Sequence, residues 1–189
     1  VRSSAASDVY KRQVLDLVEK HLVTDQMVLT IGYDIDNLTD PKRRNAYHGE
    51  VTIDRYGRRV PKHAHGTINL KNQTSSTKQI MDAVMELYDR IVNPNLLIRR
   101  IYVVACRLSD ESSAKQEDTF EQLDLFTDYA ALEQKKQAEK VKKEKERKLQ
   151  EAVLSVKKKY GKNSMLKGMN LQEGATSVER NRQIGGHKA

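Results

Sequence analysis

The chain has 189 residues and a mass of 21.6 kDa, which allows one compact domain with appendages. Hydrophobic residues make up 38% against 32% charged, and a mean hydropathy of -0.74 is too polar for every segment to be packed in a core. The net charge of +8 and pI near 9.5 favour an anionic partner, nucleic acid before membrane, and no apolar run approaches the roughly 20 residues of a membrane span.

Residues 1–13 (VRSSAASDVYKRQ) have no periodicity continuous with that of residue 14 onward and resemble translated adapter sequence. They are set aside from the fold, and the natural chain is expected to begin earlier. Val14, Leu15, Leu17, Val18 and Leu22 have helical spacing, which predicts the end of an amphipathic helix over 10–24. Alternation over 27–35 predicts a strand, and residues 37–49 read as loop with Pro41 as a breaker. A hairpin is predicted over 50–61, with arms at 51–53 and 58–60 joined through Asp54-Arg55-Tyr56-Gly57. Residues 65–70 form a further predicted strand.

Thr74-Ser75-Ser76 precede a helix with Ile80, Val84, Leu87 and Ile91 on one face, stopped by Asn93-Pro94-Asn95. A strand rich in β-branched residues is predicted over 97–108, and 109–121 reads as polar linker. From Asp128 to Tyr160 the pattern is one long helix. It is solvated over 133–148, with a returning apolar stripe at Leu149, Ala152, Val153, Val156 and Tyr160, and with Gly161 as its C′ residue. The fold class expected is α+β: a small antiparallel sheet covered on one face by two helices (residues 14–108). Beyond it lie a linker (109–127), a charged helix (128–160) and an irregular tail (161–189).

The most informative stretch is Gln122-Leu123-Asp124-Leu125-Phe126, set in a polar run where no core requires it. Leu125 and Phe126 offer two large apolar side chains to a cleft, and the Gln122 amide offers both donors and an acceptor to its polar edge. The pentapeptide resembles the one that bacterial DNA polymerases and repair proteins insert into a pocket on the sliding clamp. A hydrophobic staple before the next helix, capped by Asp128, is the alternative reading.

Together with this peptide, the element order is similar to that of the C-terminal little-finger domain of a Y-family translesion DNA polymerase of the UmuC/DinB kind. The segments carrying the resemblance are 27–33 (MVLTIGY), 65–70 (HGTINL), the helix start over 74–80, and 98–104 (IRRIYVV). Residues 157–189 look like the tail of bacterial UmuC-like members. The resemblance implies primer-template duplex DNA and the sliding clamp as partners in translesion synthesis, DNA repair and the SOS response, in the cytoplasm and without membrane attachment. It departs from the family in lacking the strand before the first helix and the palm. The Mg²⁺-binding carboxylates belong to that palm, so this stretch should need no cofactor of its own and be inactive alone as a polymerase. Loss of a strand should also leave the 97–108 strand with an unpaired edge prone to self-association. A non-catalytic basic nucleic-acid adaptor is the rival reading.

Charge and placement select the candidate DNA contacts. Arg99 and Arg100 are neighbours in a strand, so alternation sends them to opposite faces, and Arg100, or whichever of the two leaves the helix-packed face, is the phosphate contact that the resemblance implies. Lys71, Thr74, Ser75, Ser76 and Lys78 surround a helix start, where free N–H groups make a phosphate seat or are simply capped. Arg55, Arg58 and Arg59, with Lys62, cluster on the hairpin, as DNA contacts or as solvated charge. His63 and His65 share a face but lack further ligands for a metal. The single cysteine, Cys106, excludes an intramolecular disulfide, suits a reducing cytosol and is expected to be buried. With no Trp and only two Phe, a stacking platform for single-stranded bases is not expected.

Overall fold

The computed structural model describes residues 13–114, 129–166, 168, 177–184 and 187–188. Its first elements are a helix α1 (residues 13–19) and a long strand β1 (Leu22–Tyr33). The helix ends earlier than its apolar spacing predicts. His21 adopts φ 53°, turning the chain, so that Leu22 opens a strand instead of continuing the helix. Gln13, set aside with the leading segment, already belongs to this helix.

After β1 come two short helices, α2 (Asp36–Thr39) and α3 (Pro41–Ala46), where a loop is expected from the sequence. Pro41 starts α3 instead of breaking structure, because its missing N–H is not needed in a first turn. The Asp40 carboxylate caps that turn by accepting from Lys42 N and Arg43 N. Buried Asn37 fastens α2 to the rest: its amide donates to the Asp34 and Leu97 carbonyls and accepts from Leu97 N. The hairpin is next, as β2 (Val51–Ile53) and β3 (Arg59–Pro61).

Strand β4 (Ala64–Thr74), helix α4 (Thr77–Ile91) and strand β5 (Ile98–Cys106) complete the main layers. The sheet order is β4-β1-β5, antiparallel throughout, with β1 central. Among the described residues β5 pairs only with β1, so its outer edge is open. After Arg107, at φ 49°, a two-residue strand β6 (Ser109–Asp110) pairs with the beginning of β1. The start of the predicted linker is therefore part of the sheet.

One face of the sheet is covered. Met27, Leu29, Ile31 and Tyr33 of β1 and Val103 of β5 meet Val14, Leu17 and Val18 of α1 and Ile80, Val84, Leu87 and Tyr88 of α4. Gly66 lets α4 approach β4 closely; a Cβ there would lie 2.9 Å from the Leu87 Cδ1. Burial of side chains of this size is worth roughly 1.5–3 kcal/mol each, which makes this the region that decides whether the domain folds.

The long helix α5 (Tyr129–Tyr160) ends at Gly161, which takes φ 93° and donates to the Lys157 carbonyl, as its C′ position predicts. Its second half docks on the domain with a mostly polar face. Gln150 Nε2 donates to the Ser75 carbonyl and Thr77 Oγ1, Arg147 pairs with Glu111 on the turn after β6, and Leu154 reaches the core. Three members of the predicted apolar stripe, Leu149, Ala152 and Tyr160, are instead exposed, because polar partners at the start of α4 select the docking face. The tail contains a short helix α6 (Ser177–Asn181) and the strands β7 (Gln183–Ile184) and β8 (His187–Lys188).

Candidate nucleic-acid interface

The second face of the sheet carries no helix of the core cluster. Strand alternation and register place Gln26, Val28, Thr30 and Gly32 on it in β1, opposite Cys106, Val104, Tyr102 and Arg100 of β5. On the other side, Thr67 and His65 of β4 lie beside Val28 and Thr30, and His65 Nδ1 is 2.9 Å from Thr30 Oγ1. Arg100 and Tyr102 are both exposed. Cys106 is half-buried.

Arg99 corrects the expectation of opposite faces. The register shifts between Gly32 and Tyr33, which pair with Arg100 and Ile98, so Arg99 is the extra residue of a bulge. Inward-facing Ile98 and Ile101 therefore bracket two exposed arginines. Arg99 Nη1 lies 4.0 Å from the Asp34 carboxylate, whereas Arg100 has no carboxylate partner among the described residues.

The β2–β3 tip brings further cations to the Arg100 end of this face. Asp54 shapes the turn, accepting from Tyr56 N and Arg58 N with Oδ1 and from Arg58 Nε and Nη2 with Oδ2, while Gly57 takes φ 76°. The Arg58 side-chain bonds push the Asp54 carboxyl down to about 2, so Arg58 is neutralised over most of the pH range. Arg55 Nη2 donates to the Tyr56 hydroxyl at 2.5 Å, and its guanidinium lies 4.8 Å from the centre of that ring. This bond, with the nearby charges of Arg55 and Arg100, holds the Tyr56 phenol below its usual range. Tyr102 stands two residues from Arg100 on the same face of β5. Arg55, Tyr56, Arg100 and Tyr102 thus form one cluster, while Arg59 is exposed on β3.

The remaining candidates do not join it. Lys71 is exposed on the open face but lies about 20 Å along β4 from His65 at ordinary strand rise. At the start of α4 the predicted anion seat is real, and its occupant is a side chain of the protein. Glu146 accepts from Lys78 N at 3.1 Å and from Ser76 Oγ at 2.7 Å, and Ser76 also caps Gln79 N. Thr74 Oγ1 accepts from Ser76 N, the Ser75 carbonyl accepts from Gln150, and Lys78 is paired with Asp82 at 2.7 Å. Capping is what these residues do here. Lys62 is similarly paired with Glu50 at 2.6 Å.

The pentapeptide from Gln122 to Phe126, and Asp128, lie outside the described residues. Among the described residues no group of three or more His, Cys, Asp or Glu could hold a metal ion, and no helix is long and apolar enough to cross a membrane. Sequence reasoning missed Tyr56 and Tyr102. The signal for Tyr102 was its two-residue spacing from Arg100, but only the register with β1 shows which face both occupy.

The chain is thus an α+β protein with an antiparallel sheet that, among the described residues, helices of the core cover on one side. No protein-family model, curated protein or solved structure matches it.

Proposed function

We propose that this chain is the DNA-gripping and clamp-tethering part of a translesion DNA polymerase of the Y family. The observation that carries the reading is the arginine face: the helices of the core pack on one side of the sheet, and Arg100 and the Arg55 tip are exposed on the other, where no helix among the described residues packs. Such cations hold duplex phosphates largely without regard to sequence, so affinity falls steeply with salt. The peptide from Gln122 to Phe126 adds a second, separate attachment, to the sliding clamp, with Leu125 and Phe126 filling its apolar pocket. A peptide contact of this kind has roughly micromolar affinity, about -8 kcal/mol. Linking two weak contacts raises their effective concentration on clamp-loaded DNA without any new interaction.

Two assays test the halves separately. Replacing Leu125 and Phe126 together by Ala should abolish capture by purified clamp and leave duplex binding intact; undiminished capture contradicts the tether. Arg100→Ala should weaken binding to all duplex sequences alike and flatten the salt dependence by about one unit of log-log slope.

A further inference from the structure

We propose that the open face of the sheet also binds unpaired nucleotides, stacking a base on the ring of Tyr102 while Arg55 and Arg100 hold the adjoining phosphates. This deepens the proposed nucleic-acid function and rests on it.

The centre of that face carries the inference. Tyr102 is 53% and Val104 50% exposed, and they stand two residues apart on one strand beside Thr30 and Val28 of β1. A surface that met only phosphates would need cations and N–H donors and would gain nothing from an aromatic ring and a valine turned to water. The flat face of a base, in contrast, covers both and removes their apolar area from solvent. A base inside a duplex cannot reach the ring, because its faces are already stacked on its neighbours. The fitting ligand is a single strand.

The surroundings supply the rest. Tyr56 is not the platform, because the Arg55 and Arg58 guanidiniums already lie over its ring at 4.8 and 5.1 Å. Its part is to hold Arg55, through the ring and through its hydroxyl, at a tip that meets Arg100, two residues from Tyr102 on the same strand face. Among the described residues no cation is stacked on Tyr102. Arg100, one row along the same strand, supplies a positive charge with no carboxylate partner among the described residues, within a nucleotide's length, since alternate residues on a strand stand about 7 Å apart. Charge also selects against a second copy of this chain as the occupant, because each copy brings a net +8.

The test is fluorescence anisotropy of the full chain with a labelled oligothymidylate and, in parallel, a labelled duplex. Tyr102→Ala should weaken oligothymidylate binding roughly fivefold to a hundredfold, leave duplex affinity nearly unchanged and leave the thermal midpoint near that of the unaltered protein. Tyr102→Phe should restore single-strand binding, because the ring and not the hydroxyl carries it. Unchanged oligothymidylate affinity in Tyr102→Ala overturns the proposal, even where Arg100→Ala still weakens duplex binding and the broader reading stands. Absence of binding to either nucleic acid brings down both. If Tyr102→Ala instead abolishes a concentration-dependent dimer with oligothymidylate affinity intact, the face is a protein interface and the stacking assignment fails.

Discussion

Each strand of the central sheet serves two regions with alternate residues. Leu29, Ile31 and Val103 point into a layer closed by α1 and α4, while Val28, Thr30, Arg100 and Tyr102 point to a face that no core helix covers. The residue types differ as the environments do. The covered face is almost purely apolar, and the open one mixes arginine, tyrosine, valine and hydroxyl groups. Because side chains repeat every two residues, a one-residue slip would exchange the two sets, so the core fixes the register that presents Arg100. Stability and the proposed recognition thus draw on the same strands but on different side chains.

That division has consequences that substitutions can break. On the covered side, Leu29→Ala should cost roughly 2–5 kcal/mol in denaturant unfolding, since Leu29 is fully buried. Whatever remains folded should still bind DNA. Asn37→Ala should cost about 1–3 kcal/mol, because it empties a fully buried position and leaves the Leu97 N–H without its acceptor. Gln150→Ala, which removes two hydrogen bonds between α5 and the start of α4, should cost about 1 kcal/mol and expose α5 to earlier proteolysis. A value near zero would mean that Glu146, Arg147 and Leu154 hold α5 in place without it.

The smallest effect concerns the hairpin tip. The Asp54 carboxyl is depressed from its ordinary 3.8 to about 2, chiefly by the Arg58 hydrogen bonds. A depressed carboxyl contributes stability above its unfolded pKa and loses it as pH falls through its folded one. The turn should therefore hold from neutrality to about pH 4 and weaken between there and pH 2. An NMR titration should place the Asp54 midpoint near 2, and Arg58→Ala should raise it toward 3.8; an unmoved midpoint would contradict the assigned cause.

Where local chemistry determines structure, it could be read from the residues. The 3.6-residue spacing of Ile80, Val84 and Leu87 marks α4, and Gly57 with Asp54 marks the hairpin turn. Gly161 stops α5 as expected. What escaped reading depends on partners distant in sequence. The four-residue α2 is held by Asn37 bonds to Leu97, 60 positions away. The two-residue β6 exists because β1 extends far enough to pair with it. Besides Leu154, the docking face of α5 includes Glu146, Arg147 and Gln150, polar residues that a search for apolar stripes assigns to solvent. For the site, Arg100 was legible from strand position, but the bulge at Arg99 and the meeting of Arg55, Tyr56 and Tyr102 require the tertiary register.

The central claim, that the bare face is the one that meets nucleic acid, has a direct rival in the lysines of α5, which are exposed over 136–145. Backbone NMR of the isotopically labelled chain, titrated with a short DNA duplex at moderate salt, separates them. The account predicts that the largest shifts fall on Thr30, Thr67, Arg100, Tyr102 and the 54–58 turn, and that the amides of α5 hardly move. Shifts concentrated along α5, with the sheet undisturbed, would contradict it.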